Sequence, residues 1–401
     1  MGTENNPAVV LGMYETGLAV GRSLGKEGVN VLGFDHTRKI GFYSRHVRAA
    51  ICPHPIERED DFIKFLVETA RACSSKPVLF ITADEYLGPV SRKRKLLQEY
   101  FLMNLPNEDI VESIADKFKQ FRLAVDAGIP VPQTLVVSEM NDVCKIRAAD
   151  LSFPAFIKGV EVTAWRKHFG GHVKGFVINN MEELVRTSEG VFRYGIPALI
   201  QELIPGPDTQ HFKSSFYVSR EGEILLAFGL QKIRQQPVGF GFGCVVQSIE
   251  YPELLALGRQ FFERIGYRGV GSAEFKLDHR DMKLKLIELN PRYWQQNGLA
   301  EKCGMNFPFM NYRDLTAGMP QPILHYKCGV KWINVQADFD SFREYRRRRE
   351  LSFIQWVRSW RGEKMYSDLA LNDPVPGLHA MLTVLPKATK FIIRRLLRVC
   401  R

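Results

Sequence analysis

The sequence predicts an α/β domain, then α+β units, then a basic helical C-terminal extension. Residues 8–35 predict a βαβ unit, because two apolar runs flank a segment whose apolar residues have helical spacing. Residues 116–134 combine an amphipathic helix, a glycine and a Pro-x-Pro segment, which marks a boundary between units. Strands, hairpins and glycine-rich loops then alternate with helices as far as Gln296, as in α+β proteins.

Length and composition limit the class of protein. A chain of 401 residues, 45% apolar and 25% charged, is long enough for two or three domains of an ordinary globular protein. It has no apolar run long enough to span a bilayer, and its first residues lack the pattern of a secretory signal. Seven scattered cysteines without a CxxC pair indicate a reducing, cytoplasmic setting. The net charge of +11 suits an anionic partner, such as ATP, nucleic acid or an acidic membrane surface.

The first βαβ unit contains Gly12, Gly17 and Gly21, whose spacing is not that of a GxGxxG dinucleotide site. We therefore attribute these glycines to close packing of a helix on a strand, which disfavours a dinucleotide-dependent oxidoreductase.

A polar cluster follows a later strand of the first domain. The run PVLFITADE ends in Thr82, Asp84 and Glu85, and ligands bind at the carboxyl ends of strands in open α/β sheets. We expect these three residues, with Arg22 of the first helix, to contact substrate. The alternative is that Thr82 or Asp84 caps a helix.

The next unit contains cations beside a glycine pair. Lys158 lies inside the apolar run FPAFIKGV, and a buried lysine requires an anion, although an edge strand would also tolerate it. Gly170 and Gly171 free the backbone to wrap an anion, and Lys174 follows them. Asn180 then suits the N-cap of a helix.

A strand with a single acid and a hairpin come next. ALIQELIPG carries Glu202 and breaks at Pro-Gly, and a hairpin is predicted around residues 220–222. Lys232 and Arg234 then precede the glycine loop PVGFGFG, a combination that suits a phosphate-rich cleft.

Residues 271–296 predict a hairpin that binds a metal ion. Glu274 lies in its first strand, and Glu288 and Asn290 lie two residues apart in its second. Two carboxylates and an amide oxygen suit Mg²⁺, and Arg292 can bind a phosphate or carboxylate beside it. The alternative is a surface hairpin with solvated charges. Leu284 and Leu286 share parity with the two polar residues, so either the strand leaves the core or a bulge lies near Ile287.

The C-terminal third predicts a strand over KWINVQAD, a basic helix over residues 342–361 and a basic amphipathic tail over 387–401. The tail suits an anionic membrane surface, but a helix docked on the domain with a solvated basic face is an equal explanation.

In this order, the motifs resemble the ATP-grasp superfamily and, within it, the carboxylate–amine ligases. The resemblance covers Val9 to Gly318, with weaker similarity at Asn372 to Leu378. Its elements are DK…GIPVPQT, FPAFIKG, GG-x-x-KG…EEL, ALIQELIPG and EFKLD…KLIELNPR.

The resemblance implies a Rossmann-like pre-ATP-grasp domain at 1–114, two ATP-grasp subdomains at 115–205 and 206–325, and a basic extension at 326–401. For the nucleotide it implies three lysines, the glycine loop, a hinge that reads adenine through its backbone and an acid on the ribose: Lys117, Lys158, Lys174, Gly170, Gly171, Gln201, Glu202, Leu203, Ile204 and Asp208. Glu202 would lie near the exocyclic amine. Glu274, Glu288 and Asn290 fall on the metal-ligand positions, and Lys232, Arg234 and Arg292 near the triphosphate and the reacting carboxylate.

The resemblance implies an ATP-dependent ligase that uses Mg²⁺, which Mn²⁺ can replace, to join a carboxylate to an amine through an acyl phosphate. The alternatives are a non-catalytic ATP-binding module of the same fold, or a carboxylase or kinase acting on another acceptor. A homodimer is consistent with the family. We expect no nucleic-acid partner, because aromatic stacking platforms are not apparent beside the arginine-rich segment.

Overall fold

The computed structural model describes residues 6–147, 150–160, 162–170, 173 and 175–382. Its strands form three sheets, of four, four and seven strands. Among the described residues, the helices are all too short or too polar to cross a lipid bilayer.

The first sheet is parallel, with strand order β3-β2-β1-β4. Its two central strands are short apolar runs that helices cover on both sides, as in other parallel sheets. The strands are β1 (Ala8–Leu11), β2 (Val31–Asp35), β3 (Arg48–Ile51) and β4 (Val78–Ile81). The helices of this part of the chain are α1 (Glu15–Lys26), α2 (Glu59–Arg71), α3 (Asp84–Arg92), α4 (Arg94–Tyr100) and α5 (Glu108–Ala115), with a 3₁₀ turn at Ile40–Tyr43.

The glycines of the first βαβ unit serve packing, as predicted. Gly12 has φ +89°, a conformation that favours glycine. A side chain at Gly17 would meet the carbonyl oxygen of Gly12, and one at Gly21 would meet Val47. Helix α1 can therefore approach β1 and β3 only without these side chains.

The second sheet is antiparallel, with strand order β5-β8-β6-β7. Its strands are β5 (Thr134–Val137), β6 (Ala155–Gly159), β7 (Phe176–Ile178) and β8 (Ala198–Glu202). Its helices are α6 (Lys117–Asp126), α7 (Met140–Cys144), α8 (Val162–Phe169) and α9 (Met181–Phe192). Helix α6 ends before Gly128, whose φ is +73°, and Asn180 caps α9 by accepting a hydrogen bond from the Glu183 N–H group; both features were predicted.

The third sheet has strand order β13-β12-β9-β10-β11-β14-β15. Its strands are β9 (His211–Val218), β10 (Ile224–Gln236), β11 (Phe242–Ser248), β12 (Gly269–Asp278), β13 (Lys283–Asn290), β14 (Lys331–Ile333) and β15 (Lys364–Tyr366). The helices of this region are α10 (Pro252–Arg264), α11 (Asn297–Lys302), α12 (Phe307–Thr316), α13 (Val335–Arg347) and α14 (Phe353–Ser359), and a 3₁₀ turn covers Asp208–Gln210.

The two faces of the third sheet differ. One face is apolar and packs against α10, where Phe216 contacts Phe262. On the other face, β9 and β12 are apolar only at one end, where Tyr217 and Val270 join a core that includes Trp294.

Two residues further along β9 and β12, this face carries Ser215 and Ser272. Two residues beyond these serines, it carries the charged Lys213 and Glu274. The charged end of this face and Lys158 of β6, which lies close enough to Lys117 and Glu288 for their charges to interact, border the candidate cleft.

The C-terminal region differs from the prediction in two ways. The strand over KWINVQAD covers only Lys331–Ile333, and helix α13 begins at Val335. The single basic helix predicted over residues 342–361 is two helices, because Arg349 adopts φ +62° and Ser352 starts a new helix with a capping box. The extension also contributes β14 and β15 to the third sheet, so residues on both sides of 325 share one sheet. The predicted tail at 387–401 lies outside the described residues.

Candidate functional site

The hairpin of β12 and β13 brings the three predicted metal ligands to one side of the sheet. Glu274 pairs with Glu288 and Ser272 with Asn290, whereas Phe275 pairs with Leu286. Ile287 is therefore the extra residue of a β-bulge, which confirms one of the two explanations offered for the strand's parity. The bulge lets Leu286 and Leu289 both face the core, and so turns Glu288 and Asn290 toward the cleft.

Glu274 lies between two lysines at the floor of the cleft. Its carboxylate oxygens are each 3.0 Å from an ammonium nitrogen, one from Lys213 on β9 and the other from Lys232 on β10. Burial alone would raise the pKa of Glu274, but the two ammonium groups lower that pKa far below its usual value. Burial lowers the pKa of Lys213, and the Glu274 carboxylate opposes this shift. The arrangement holds an anion between two buried cations.

Lys213 is a cleft residue that the sequence analysis missed. It lies in the run HFKSSFYV, whose alternate residues His211, Lys213 and Ser215 face the cleft side. A lysine at a cleft-facing position of the strand after the hinge is the signal that could have identified it.

Two further lysines line the cleft. Asp116 caps α6 by accepting hydrogen bonds from the N–H groups of Phe118 and Lys119, and Lys117 of this first turn forms a close ion pair with Glu288. Lys158 lies on β6, which has neighbours on both sides, so the edge-strand explanation is wrong. Burial, with repulsion by Lys117 as a second cause, lowers the pKa of Lys158 to about 8. Such a group favours binding an anion.

Arg292 connects the metal hairpin to the first domain. Its guanidinium donates two hydrogen bonds to Asp84 at the start of α3, with Nε 2.6 Å from Oδ1 and Nη2 2.8 Å from Oδ2. This fork geometry is the one that a substrate carboxylate would use. Asp84 therefore lies at the mouth of the cleft, and an anionic substrate can replace it on Arg292.

The structure corrects the assignment of Arg234. A bulge at Ile233 breaks the alternation of β10, so Arg234 points away from Lys232 and the cleft. Its guanidinium is buried and paired with Asp338 of α13, with Nε 2.6 Å from Oδ1 and Nη2 3.1 Å from Oδ2. Trp356 and Trp360 also donate their indole N–H groups to Asp338. Arg234 holds helix α13 of the C-terminal extension against β10.

The substrate assignments of Arg22 and Thr82 are corrected in the same way. Arg22 is buried and donates to the Asp373 carboxylate at 2.8 Å and to the carbonyl oxygen of Asp368, so it holds the C-terminal segment on α1. The buried Thr82 hydroxyl lies within hydrogen-bonding distance of two carbonyl oxygens of the β1 end, and it does not cap α3, whose N-cap is Ala83. Neither side chain is available to a substrate.

The hydrogen bonds within the hinge between β8 and the third sheet limit which of its N–H groups can bind adenine. Gln201 donates to the Thr134 hydroxyl, and the N–H groups of Glu202 and Leu203 donate to the carbonyls of Gln133 and Pro154. Within the described residues, Ile204 is the hinge residue whose N–H group has no such strand partner.

The Glu202 carboxylate is not placed to contact an exocyclic amine. It is buried, accepts hydrogen bonds from Arg280 at 2.8 Å and Lys285 at 3.2 Å, and also accepts one from the Gln133 N–H group. The assignment is therefore corrected: Glu202 fastens the metal hairpin to the hinge.

Asp208 lies after the hinge, as predicted, but other side chains already occupy its carboxylate. It accepts a hydrogen bond from Gln235 at 2.6 Å and a close one from the Tyr345 hydroxyl of α13. Gly170 of the glycine loop has φ +85° and open space around it, whereas Gly171 and Lys174 lie outside the described residues.

A second cluster in the first domain has the composition of a metal site. His36, His54 and Glu85 place one potential ligand atom each within 4.8 Å of one another. Nδ1 of His54, however, accepts hydrogen bonds from the N–H groups of Ile56 and Glu57. Neutral His54 must then carry its proton on Nε2, and a protonated nitrogen cannot bind a metal ion. Glu85, a predicted substrate residue, lies beside the mouth of the cleft, where its Oε1 is 3.6 Å from Nδ1 of His36.

Comparisons with known proteins show similarity in sequence and in fold. D-aspartate ligase from Enterococcus faecium (strain Aus0004) is 24% identical over 275 residues, which are 66% of this chain and 65% of that protein. The crystal structure of an ADP complex of N5-carboxyaminoimidazole ribonucleotide synthetase matches with a TM-score of 0.60 and 13% identity, over 79% of this chain and 78% of that one. L-amino acid ligase from Bacillus licheniformis matches with a TM-score of 0.58 and 14% identity, over 78% and 74%. No protein-family model matches the sequence.

The fold of the chain is similar to that of these two solved enzymes, and the order of its motifs resembles the ATP-grasp superfamily. Within that superfamily it resembles the carboxylate–amine ligases. The chain spans slightly less than two thirds of the length of D-aspartate ligase.

Proposed function

We propose that this chain is an ATP-dependent ligase that joins the carboxylate of an amino acid or peptide-like substrate to an amine. The reaction passes through an acyl phosphate and releases ADP and phosphate. One observation carries the proposal: Glu274 lies between Lys213 and Lys232, directly opposite Glu288. Carboxylates and ammonium groups on the same face of a sheet suit a metal–triphosphate complex better than any other ligand class.

We assign the nucleotide to the cleft between the second and third sheets. In this proposal Lys117 and Lys158 contact its phosphates and the Ile204 N–H group reads adenine. The sequence resemblance adds Gly170, Gly171 and Lys174 as the loop that covers the phosphates. The domain limits at 114, 205 and 325 belong to the same proposal, although the third sheet continues into the extension. Asp208 reaches the ribose only if it releases Gln235 or Tyr345.

Glu274, Glu288 and Asn290 fit a magnesium ion. All three offer hard oxygen atoms from one side of the hairpin, and each oxygen of Glu274 keeps a lone pair beyond its lysine contact. Bound there, Mg²⁺ or Mn²⁺ would supply positive charge to neutralise the charge that develops during phosphoryl transfer.

The residues of the chain position the reactants. Arg292 orients the substrate carboxylate through the fork that now binds Asp84, while Lys213 and Lys232 stabilise charge on the transferring phosphoryl group. A carboxylate oxygen attacks the γ-phosphorus, the bond to the β-phosphate oxygen breaks, and ADP leaves. The amine then attacks the acyl carbon and the bond to phosphate breaks, and the proton lost by the amine is taken up by the departing phosphate.

The proposed substrates follow from the charges at the mouth. Arg292 selects an anion, whereas Asp84 and Glu85 suit the cationic form in which an amine arrives. The similarity to D-aspartate ligase and L-amino acid ligase supports amino acids as the substrate class. We further propose a cytoplasmic homodimer without a nucleic-acid partner; membrane contact by the tail rests on sequence alone.

The test is ADP release from ATP and Mg²⁺ with a panel of amino acids and amines, with the amide product detected by mass spectrometry. Glu288→Gln is expected to reduce turnover by about a hundredfold or more, because it removes a metal-binding charge. The matched control is Glu68→Gln on α2, an exposed acid far from the cleft, which should leave turnover unchanged.

Three outcomes would contradict the proposal. ATP binding without turnover for any substrate pair would indicate a non-catalytic module. ADP release without an amide product would indicate a kinase or carboxylase. Full ligation by Glu288→Gln at saturating Mg²⁺ would show that the metal assignment is wrong.

A further inference from the structure

Helix α14 presents an apolar face to solvent. Phe353, Ile354 and Val357 are 57%, 61% and 50% exposed, and their spacing places them on one side of the helix. Single exposed apolar residues are normal, but a contiguous group marks an interaction site.

The tryptophans of α14 fix the helix to the protein. Trp356 and Trp360 donate to the buried Asp338 carboxylate at 2.8 Å and 2.7 Å, and Trp356 stacks on Phe342 at 4.6 Å. The capping box of Ser352 and Gln355 sets the start of the helix. The ring of Phe353 borders this cluster, with its centroid 6.2 Å from that of Phe342 and 5.8 Å from that of Trp356, whereas Ile354 and Val357 face solvent. Rotating the helix to bury them would break the bonds to Asp338.

Arginines flank the apolar face on both sides in sequence. Four exposed arginines, Arg346 to Arg349, lie at the end of α13 and just beyond it, and the exposed Arg358 and Arg361 lie at the end of α14 and just beyond it. The guanidinium groups favour an anionic partner, and the three apolar side chains favour one that admits hydrocarbon. A bilayer with acidic headgroups offers both properties in one surface.

A second element of the same kind follows in the chain. Residues 375–382 are helical and expose Val375, Leu378 and Leu382, while Asp373 just before them is bound by Arg22 and Ser44. Stable attachment to a membrane generally needs more than one weak contact, and these two elements could provide them.

We propose that the α14 surface, made of Phe353, Ile354, Val357 and the flanking arginines, docks the protein on anionic phospholipid membranes. The apolar side chains enter the headgroup layer, and the arginines bind the acidic lipids. This interaction is independent of the ligase activity, because the α14 surface contains none of the cleft residues.

The test is co-sedimentation of the full chain with vesicles of phosphatidylcholine alone or mixed with phosphatidylglycerol. Wild-type protein should bind only the mixed vesicles, and added salt should weaken binding. The double variant Ile354→Ser/Val357→Ser should reduce binding by about tenfold or more, since two buried aliphatic side chains are lost. Val125→Ser on α6, an equally exposed valine, is the matched control and should bind as wild type.

Binding of an ATP analogue should be the same in all variants, which shows that they are folded and separates this test from that of the ligase. The proposal fails if wild type ignores the acidic vesicles, or if the double variant binds them as well as wild type. It also fails if the double variant instead dissociates a dimer, since the surface would then serve a second copy of the chain.

Discussion

Lys232 and Arg234 lie two residues apart on β10 and carry the same charge, yet they belong to different parts of the molecule. Lys232 enters the cleft and shares Glu274 with Lys213, whereas the bulge at Ile233 turns Arg234 into a buried pair with Asp338. The arginine has its own carboxylate, to which it donates two hydrogen bonds. Lys232, in contrast, shares the Glu274 carboxylate with Lys213. We infer that a cation is available to bind a ligand when its carboxylate partner also pairs with a second cation.

The largest expected effect follows from breaking the Arg234–Asp338 ion pair. Asp338→Asn should destabilise the protein by about 3–5 kcal/mol, because it leaves the Arg234 charge buried without a compensating carboxylate. Chemical denaturation of variant and wild type measures the change. Ligation per folded molecule should remain, since Arg234 does not reach the cleft. The conclusion would be wrong if stability were unchanged while turnover collapsed.

The next largest effect removes the shared cation. Lys232→Met should lower kcat by about 10²–10³-fold, because one group that stabilises the transferring phosphoryl is lost. Glu274 keeps Lys213 as its partner, so the free energy of unfolding should change little. Steady-state kinetics beside denaturation would separate the two residues. An unfolded Lys232→Met protein would show that Lys232 is structural, like Arg234.

How far the sequence predicts these positions depends on backbone irregularities. The order of motifs was sufficient to predict the hairpin of β12 and β13 and the strand that carries Lys158. It did not separate Lys232 from Arg234, because alternation on an ideal strand places both on one face, and no composition signal at Ile233 marks the bulge. At Ile287 the signal existed, since two leucines shared parity with two polar residues.

Arg22, Thr82 and Glu202 were assigned wrongly for a different reason. Each has a polar side chain at a strand end or helix beside the cleft, where ligands bind in α/β proteins. Their partners, such as Asp373 for Arg22 and Arg280 for Glu202, are distant in sequence. Only tertiary structure shows that these side chains are already occupied.

The smallest expected effect concerns the pH dependence of nucleotide binding by Lys158. The carboxylate near this lysine, Glu288, is already paired with Lys117. Burial lowers the pKa of Lys158 to about 8 in the free protein, and bound phosphates favour the charged form. Above pH 8 the lysine must therefore take up a proton when nucleotide binds, so affinity should fall by up to about tenfold per pH unit. Nucleotide phosphates complete their ionisation near pH ~6 and contribute little there. Titration calorimetry with a non-hydrolysable ATP analogue from pH 7 to about pH 9 measures this slope. Lys158→Arg should flatten it, because arginine stays protonated. An equal slope in both proteins would show that another group titrates.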